Sequence, residues 1–403
     1  MSMNPHSAPQ SPQCAGESRC ANGEGSGSTR IEEPPQPSGG FFKAVEVVRP
    51  GLLTTVQDLG RLGFQRYGVP TCGAMDQMSL RAANLLVENE EGAAGLEATG
   101  EGPALRALAD LVVAIVGADM QPLLDGKPIE SGAAVLVKSG QLLELGRARW
   151  GLRAYVAIAG GIDVPLVLGS RSTCLPAAFG GFQGRPLGQG DLLPVGGTGG
   201  RTAGPRGRSL PAAWSGPLPD TLTLRVVLGP QDDLFTCEGV ETFLNGTYRV
   251  TPEMDRMGAR LQGPAIAHRS SADIISDSIP LGAVQVPADR QPIILLADRQ
   301  TTGGYAKIAV VVSEDVSRLA QATAGQAIRF RQISLRDAHA GMRAYEARFP
   351  ALTRGWQSRG ATKSYALRLA GKAFHVAVEE RGGGYRVSLA DRTTGAGGEG
   401  EGS

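Results

Sequence analysis

A run of polar residues follows an apolar segment of strand length that ends at Ala297. The run is Asp298, Arg299, Gln300, Thr301 and Thr302, followed by Gly303, Gly304 and Tyr305. These side chains can together accept hydrogen bonds, donate them and bind in a bidentate manner, and the two glycines then free the backbone. Such a set suits a planar carboxylate, amide or ureido group. The alternative is a hairpin corner whose polar groups satisfy one another.

Two apolar segments flank this run. Residues 291–297 are mostly apolar and β-branched and begin near a proline, which predicts a buried strand. Residues 307–312 predict the return strand. We therefore expect a strand to deliver the polar side chains of residues 298–302 at its end.

Three arginines are further candidates for binding an anion. Arg256 and Arg260 are four residues apart and would share a face if they lay on one helical turn. Two cations on one face are unfavourable without an anion, which favours a binding role. Arg171 lies in a glycine-rich segment and would present a fixed guanidinium group. Its alternative role is a salt bridge to Asp163 or Asp191.

Two aspartates lie in loops that are rich in hydrogen-bonding side chains. Asp58 belongs to the segment 53–61, and Asp76 precedes the most clearly amphipathic helical pattern in the chain. Asp76 is therefore predicted to cap that helix, with a substrate contact as the alternative.

Several of these segments resemble, in order, the motifs of the biotin-dependent carboxyltransferase-like family. The matching segments are Thr54–Arg61, Gly68–Pro70, Gly73–Asp76, Ala159–Ile162, Gly169–Thr173, Gly180–Leu187, Met254–Gly263, Ile275–Pro287 and Asp298–Tyr305. The resemblance covers roughly residues 44–334. It implies a mainly β fold of two cyclophilin-like β-barrel domains with a few short helices, and a site in their shared cleft.

The resemblance also directs the choice of site residues. The catalytic residues it implies are Asp298, Arg299 and Gln300, and the substrate-binding residues are Arg171, Arg256, Arg260, Gln285, Thr302, Gly303, Gly304, Tyr305, Asp58 and Asp76. Cys174 and Pro176 stand where the family is expected to carry polar or charged residues. That departure weakens the expectation of a direct substrate contact at this edge of the loop.

Composition excludes several classes of protein. The chain of 403 residues has a formal net charge of +1, which gives no electrostatic reason to expect binding to nucleic acid or an anionic membrane. No apolar run approaches the roughly 20 residues that span a bilayer. Five scattered cysteines show no metal-binding spacing, so we expect reduced thiols, no metal site and a cytoplasmic protein.

The composition along the chain predicts four regions. Residues 1–40 are polar and predict a disordered arm, and residues 41–215 are expected to form the first barrel with a linker. Residues 216–334 are expected to form the second barrel. Residues 335–403 are an appendage whose strands weakly resemble the approach to a biotin carrier domain. The appendage lacks a Met-Lys-Met biotinylation site, so biotin is not expected on this chain.

The resemblance implies three alternative functions. The first is the C subunit of an ATP-dependent 5-oxoprolinase, which converts 5-oxo-L-proline to L-glutamate with a KipI-like B subunit and with an A subunit. The second is the carboxyltransferase component of a biotin-dependent urea carboxylase. The third is a KipA-like regulator that binds a KipI-like protein and is not an enzyme. ATP is implied by the family alone, because the sequence contains no GxxxxGK[ST] motif.

Overall fold

The computed structural model describes residues 42–196, 208–214, 216–357, 363–369, 372–381 and 384–391. The predicted N-terminal arm, together with residues 197–207 and 215 of the predicted linker, lies outside the described residues. None of the helices within the described ranges is long and apolar enough to cross a membrane.

The first half of the chain is built from two antiparallel sheets. It contains helix α1, Gln77–Leu86, and the strands β1 Phe42–Arg49, β2 Leu53–Gln57, β3 Gly95–Thr99, β4 Ala104–Ala107, β5 Leu111–Asp119, β6 Leu123–Leu124, β7 Lys127–Pro128, β8 Ala134–Val137, β9 Leu142–Glu144, β10 Trp150–Ile158 and β11 Leu192–Val195. One sheet has the order β11-β1-β4-β9-β6-β7 and the other β2-β3-β10-β5-β8. Alternating apolar residues of both sheets, such as Val47 and Val156, fill one shared core.

The second half forms a closed barrel. It contains the helices α2 Cys237–Asn245 and α3 Ser313–Leu319, and the strands β12 Thr221–Leu228, β13 Tyr248–Val250, β14 Gly258–Gln262, β15 Asp273–Ser278, β16 Ala283–Gln285, β17 Ile293–Leu295, β18 Thr302–Tyr305, β19 Lys307–Val311 and β20 Ala327–Gln332. The barrel order is β12-β19-β16-β17-β14-β13-β20, and the parallel pairing of β12 with β20 closes it. Strands β15 and β18 form a separate two-stranded ribbon.

The chain continues with a long helix and a small sheet. Their bounds are α4 Leu335–Gln357, β21 Lys363–Leu369, β22 Lys372–Arg381 and β23 Gly384–Asp391. Helix α4 packs onto the preceding fold through Tyr345, Phe349 and Leu352, all of which are buried.

These elements confirm the prediction of a mainly β fold with few helices. The strand before residue 298 and the return strand from Lys307 are present as β17 and β19. The predicted cap is also present, since Asp76 accepts a hydrogen bond from Ser79 N at the start of α1. The helical turn considered for Arg256 and Arg260 is wrong: Arg260 lies in β14, which is held between β13 and β17, and Arg256 precedes that strand.

Candidate functional site

Among the residues that the structure describes, Arg299 is a buried cation without an anionic partner. Its Nε donates to Ile279 O at 3.0 Å and its Nη1 to Leu296 O at 3.2 Å, so two backbone carbonyls hold the guanidinium group in place. Within the described ranges, no carboxylate lies at ion-pair distance and Nη2 donates no hydrogen bond. Burial lowers the pKa of Arg299 to about 10, which leaves it charged near neutral pH. An incoming anion would therefore supply the missing partner.

The Arg299 side chain lines a cavity of about 430 Å³. That volume falls within the range of roughly 300–1,000 Å³ that is typical of small-molecule sites. The wall combines four parts of the chain: the segment before and within α1, the barrel segments with Leu281, Ala297 and Arg299, the α3 region, and α4. The polar groups on the wall include Gln77, Arg81, Ser313, Ser317, Tyr345 and Glu346.

The other arginine on the cavity wall, Arg81, is already neutralised. Its Nη1 and Nη2 donate to the two carboxylate oxygens of Glu346 at 2.9 and 2.6 Å, and its Nε donates to Glu91 at 2.7 Å. The Arg81 side chain also stacks on the ring of Phe349, 3.6 Å from its centroid. The hydrogen bonds from Arg81 hold the pKa of Glu346 below its usual range. Arg299 is thus the lining cation that remains available to a ligand.

Asp298, the neighbour of Arg299 in sequence, points into the protein interior. Its carboxylate accepts hydrogen bonds from Nε and Nη2 of Arg256 at 2.9 and 2.8 Å, and only 2% of the residue is exposed. Arg256 also donates to Glu97 and, at 2.7 Å, to Gly73 O. Burial acts to lower the pKa of Arg256, but the carboxylates of Glu97 and Asp298 outweigh it and raise that pKa. Arg256 therefore connects the two halves of the chain directly behind the cavity wall.

The buried network continues from Glu97 into the first half. Glu97 accepts hydrogen bonds from Met75 N at 2.8 Å and from Tyr155 Oη at 2.7 Å. Burial disfavours the Glu97 carboxylate, but Arg256 and Arg153 hold its pKa below the ordinary value. The Tyr155 hydroxyl in turn accepts from the backbone N–H of Asp76 at 2.7 Å.

Asp76 ends this network at the junction with the second half. Its carboxylate accepts hydrogen bonds from Ser79 Oγ at 2.6 Å and from Gln321 Nε2 at 2.8 Å. Burial raises the pKa of Asp76, and these hydrogen bonds oppose the rise. The contacts of Asp76 are therefore structural.

Asp58 and Arg171 organise a loop and are not among the residues that line the cavity. The Asp58 carboxylate accepts from Ser170 Oγ at 2.7 Å, Arg171 N at 2.6 Å and Gly60 N at 2.7 Å. Arg171 makes the ion pair with Asp163, at 2.8 Å, that the sequence allowed as an alternative. Both residues of that pair are about one-third exposed, at 33% and 35%.

Most of the remaining predicted residues lie in or beside the two-stranded ribbon, and Arg260 lies in β14. Gln285 is buried and donates to Tyr305 O at 3.4 Å. A Cβ at Gly303 would meet Ile279 at 2.7 Å and Gln285 Nε2 at 3.0 Å, so only glycine fits without displacing them. Gln300, Thr302, Tyr305 and Arg260 are exposed, and Gly304 is half-buried.

Sequence reasoning missed several residues of the site and its support. They are Arg81, Glu97, Arg153, Tyr155, Gln321 and Glu346. A signal was available for Glu97, because a charged residue inside the short apolar strand β3 has to find a buried partner. The others become recognisable only once α1, α4 and the barrel are packed together.

The chain belongs to the family described as "Carboxyltransferase domain, subdomain A and B", which matches residues 67–332. It is 39% identical over 294 residues to the C subunit of Escherichia coli 5-oxoprolinase, covering 73% of this chain and 93% of that protein. It is 36% identical over 284 residues to the C subunit of Haemophilus influenzae 5-oxoprolinase, covering 70% of this chain and 89% of that protein.

The fold also resembles a solved enzyme of urea metabolism. The crystal structure of Kluyveromyces lactis urea carboxylase matches with a TM-score of 0.71 and 30% identity, covering 86% of this chain. This chain spans only 33% of that larger protein. The family membership and the mainly β fold therefore agree with the resemblance found in the sequence.

Proposed function

We propose that the protein is the C subunit of an ATP-dependent 5-oxoprolinase and hydrolyses 5-oxo-L-proline to L-glutamate together with partner subunits. Its similarity to the C subunits of two 5-oxoprolinases, over most of their length, supports this assignment. The structural observation that carries it is the unpaired Nη2 edge of Arg299 in a cavity of about 430 Å³.

The proposed substrate suits this cavity because it combines a small lactam ring with a carboxylate. The carboxylate of 5-oxoproline accepts a charge-assisted hydrogen bond from Arg299 Nη2, worth about 1.5–3 kcal/mol. Ser313, Ser317 and Gln77 offer neutral hydrogen-bonding groups to the lactam amide. Urea is uncharged and would leave Arg299 without an anionic partner, so this feature favours 5-oxoproline over urea.

The role of this chain in the reaction is to bind and orient the substrate. A lactam carbonyl is a poor electrophile, and transfer of the γ-phosphoryl group of ATP to its oxygen supplies a leaving group. Water then adds to the carbon and the ring C–N bond opens, which gives an acyl phosphate of glutamate, and a second water hydrolyses this acyl phosphate to glutamate and inorganic phosphate. The pair of Arg256 and Asp298 holds the segments on which Cys72 and Arg299 lie, which keeps the cavity wall in one arrangement.

ATP itself does not fit the described cavity. A triphosphate carries several negative charges, whereas Arg299 is the lining arginine without a carboxylate partner. In the part of the chain that the structure describes, no group of three or more metal-ligating side chains is available for a divalent ion. We therefore assign the nucleotide to the partner subunits, the KipI-like B subunit and the A subunit, in a cytoplasmic complex.

The test uses the full chain co-expressed with its companion subunits, with glutamate formation from 5-oxo-L-proline as the readout. We expect Arg299→Gln to raise KM by about 10- to 150-fold, the factor that corresponds to about 1.5–3 kcal/mol. Arg331→Gln is the matched control, because Arg331 is exposed at the end of β20. Its KM should equal that of the wild type.

The carboxamide of 5-oxoproline isolates the charge contact. The wild type should bind this neutral analogue as weakly as the Arg299→Gln variant binds 5-oxoproline. The Arg299→Gln variant should bind the analogue no more weakly than the wild type does. An Arg299→Gln protein with the KM of the wild type would exclude Arg299 from substrate binding.

A further inference from the structure

A second cavity borders helix α3, which also lines the cavity that holds Arg299. Its volume is about 420 Å³, within the range of roughly 300–1,000 Å³ that is typical of small-molecule sites. Its wall includes Asp76, Trp150, Trp214, Glu314, Arg318 and Arg348, and we call it the Arg318 cavity. Ser317 lies on the wall of both cavities, so the two are neighbours.

Arginines outnumber carboxylates around helix α3. Arg225 Nε and Nη2 donate to the Asp315 carboxylate at 2.9 and 2.8 Å, and Nη2 also lies 2.9 Å from Glu314 Oε2. Arg318 Nη1 is then left 3.6 Å from Asp315 Oδ1, and Arg348 Nη2 is left 3.5 Å from Glu314 Oε1. In the part of the chain that the structure describes, neither Arg318 nor Arg348 donates a hydrogen bond. Three guanidinium groups therefore share two carboxylates.

The other polar groups of the wall are already satisfied. Asp76 accepts its hydrogen bonds from Ser79 and Gln321, and it makes no ion pair with an arginine of the described ranges. Gln321 Oε1 accepts from Leu152 N and Arg153 N at 3.1 and 3.0 Å. Donors without a partner thus exceed acceptors without one, which favours a ligand that brings acceptors, that is, an anion.

Two tryptophans give the same wall an apolar surface. Trp150 and Trp214 are half-buried, and the Trp214 ring packs edge-on against Phe349 with the ring centroids 5.6 Å apart. Neither indole N–H donates a hydrogen bond to another described residue. Flat apolar rings beside guanidinium groups suit an anion with a carbon chain better than an inorganic ion.

The two arginines can engage two separate anionic groups, because Arg318 lies on α3 and Arg348 on α4. Their side chains are 43% and 47% exposed, so a ligand reaches both from solvent. The planar guanidinium group matches a carboxylate through paired N–H donors. We propose that the Arg318 cavity binds a small aliphatic dicarboxylate, with one carboxylate on each arginine and the carbon chain against the two indole rings. The carboxylates of Asp76 and Glu314 on the same wall disfavour a polyphosphate.

The experiment measures the binding of glutarate to the full chain by intrinsic tryptophan fluorescence at constant ionic strength. The chain has three tryptophans, and the third, Trp356, is not on the cavity wall and donates its Nε1–H to Ser209 O at 3.0 Å. We expect a saturable change in fluorescence that is smaller in Trp150→Phe and in Trp214→Phe. Isothermal titration calorimetry gives the affinity independently.

Valerate isolates the contribution of the second carboxylate. It has the same five-carbon chain as glutarate and a single carboxylate, so the wild type should bind it about 10-fold or more weakly than glutarate. This comparison is made on the wild-type chain and needs no variant.

Substitutions of the two arginines locate the site. Arg318→Gln and Arg348→Gln should each weaken glutarate binding by about 10-fold or more, because each removes one charge-assisted contact. Arg343→Gln is the matched control, since Arg343 is exposed on the same helix as Arg348 and is not on the cavity wall. It should bind glutarate as the wild type does, and the melting temperatures of all three variants should equal that of the wild type.

Arg299→Gln separates this site from the one assigned under the proposed function. The variant should bind glutarate with the affinity of the wild type, even though its KM for 5-oxoproline rises. Loss of glutarate binding in Arg299→Gln, with no loss in Arg318→Gln or Arg348→Gln, would place the dicarboxylate in the other cavity and overturn the proposal. Inactivity of the reconstituted complex would count against the proposed function alone.

Three further results would overturn the proposal. One is the absence of glutarate binding by both methods at about 10 mM ligand, a concentration well above that of an ordinary metabolite site. Another is equal affinity for glutarate and valerate, which would show that the second arginine takes no carboxylate. The third is tighter binding of ATP than of glutarate, which would make the cavity a nucleotide site.

Discussion

Replacing Asp298 by Asn tests whether this residue supports the fold or performs chemistry. The sequence alone predicts a loss of activity of roughly 10²-fold with unchanged folding, as for a lost acid or base. The structure predicts a different result, because both oxygens of Asp298 accept hydrogen bonds from Arg256 in the interior. An amide replaces one of these acceptors by an NH₂ group and places two donors against each other.

The expected cost follows from the burial of the pair. Breaking a buried ion pair by removing one partner costs about 3–5 kcal/mol. Arg256 keeps its contact with Glu97, so we expect the lower end of that range, about 3 kcal/mol. A loss of this size lowers the melting temperature by roughly 6–12 °C.

The assay is thermal and urea-induced unfolding of the full chain, with Asp163→Asn as the matched control. Asp163 makes the same kind of pair, with Arg171, but both side chains are about one-third exposed, at 35% and 33%. Its substitution should cost less than about 1 kcal/mol. If Asp298→Asn is no less stable than Asp163→Asn, the assignment of Asp298 to a stabilising network is refuted. Lost activity in a fully stable variant would instead restore the catalytic interpretation.

Two further predictions concern buried residues that support the walls of the site. Glu97 has its pKa lowered in the folded protein by Arg256 and Arg153, so its stabilising contribution is complete above the ordinary carboxyl value of 4.5 and is lost as the pH falls through the folded pKa. Glu97→Gln should therefore flatten the acid side of the stability profile measured by urea unfolding, and an unchanged slope would contradict this. Burial raises the pKa of Asp76, so Asp76 contributes to the same profile with the opposite sign. Phe349→Ala should cost about 3–5 kcal/mol because the fully buried ring packs against Arg81 and Trp214. Met342→Ala, at 36% exposure on the same helix, is the control and should cost less than about 1 kcal/mol in the same unfolding assay.

Features that depend on near neighbours in sequence could be predicted. The strand before residue 298, the return strand from Lys307 and the cap at Asp76 were all recognised. Each depends on apolar periodicity or on one hydrogen bond to a residue three positions away, and such patterns are visible in a short segment. The ordered motifs likewise indicated the family, because they extend over much of the chain.

The spacing of Arg256 and Arg260 shows where local reasoning failed. A separation of four suits one face of a helix, but the pairing of β14 with β13 and β17 imposes a strand. Arg256 is then buried and Arg260 is exposed. Pairing partners of a strand lie far away in sequence, so this outcome depends on the closed barrel.

By itself the sequence determined the mainly β class, the family and the polar segment from which the site is built. Only the tertiary structure separated Asp298 from Arg299, which are adjacent in the chain. Asp298 meets Arg256, 42 residues away, and Arg256 meets Glu97, 159 residues away, whereas Arg299 meets backbone carbonyls and a cavity. The physical reason is that the role of a buried charge depends on which opposite charges the fold brings to it, and those partners come from distant segments.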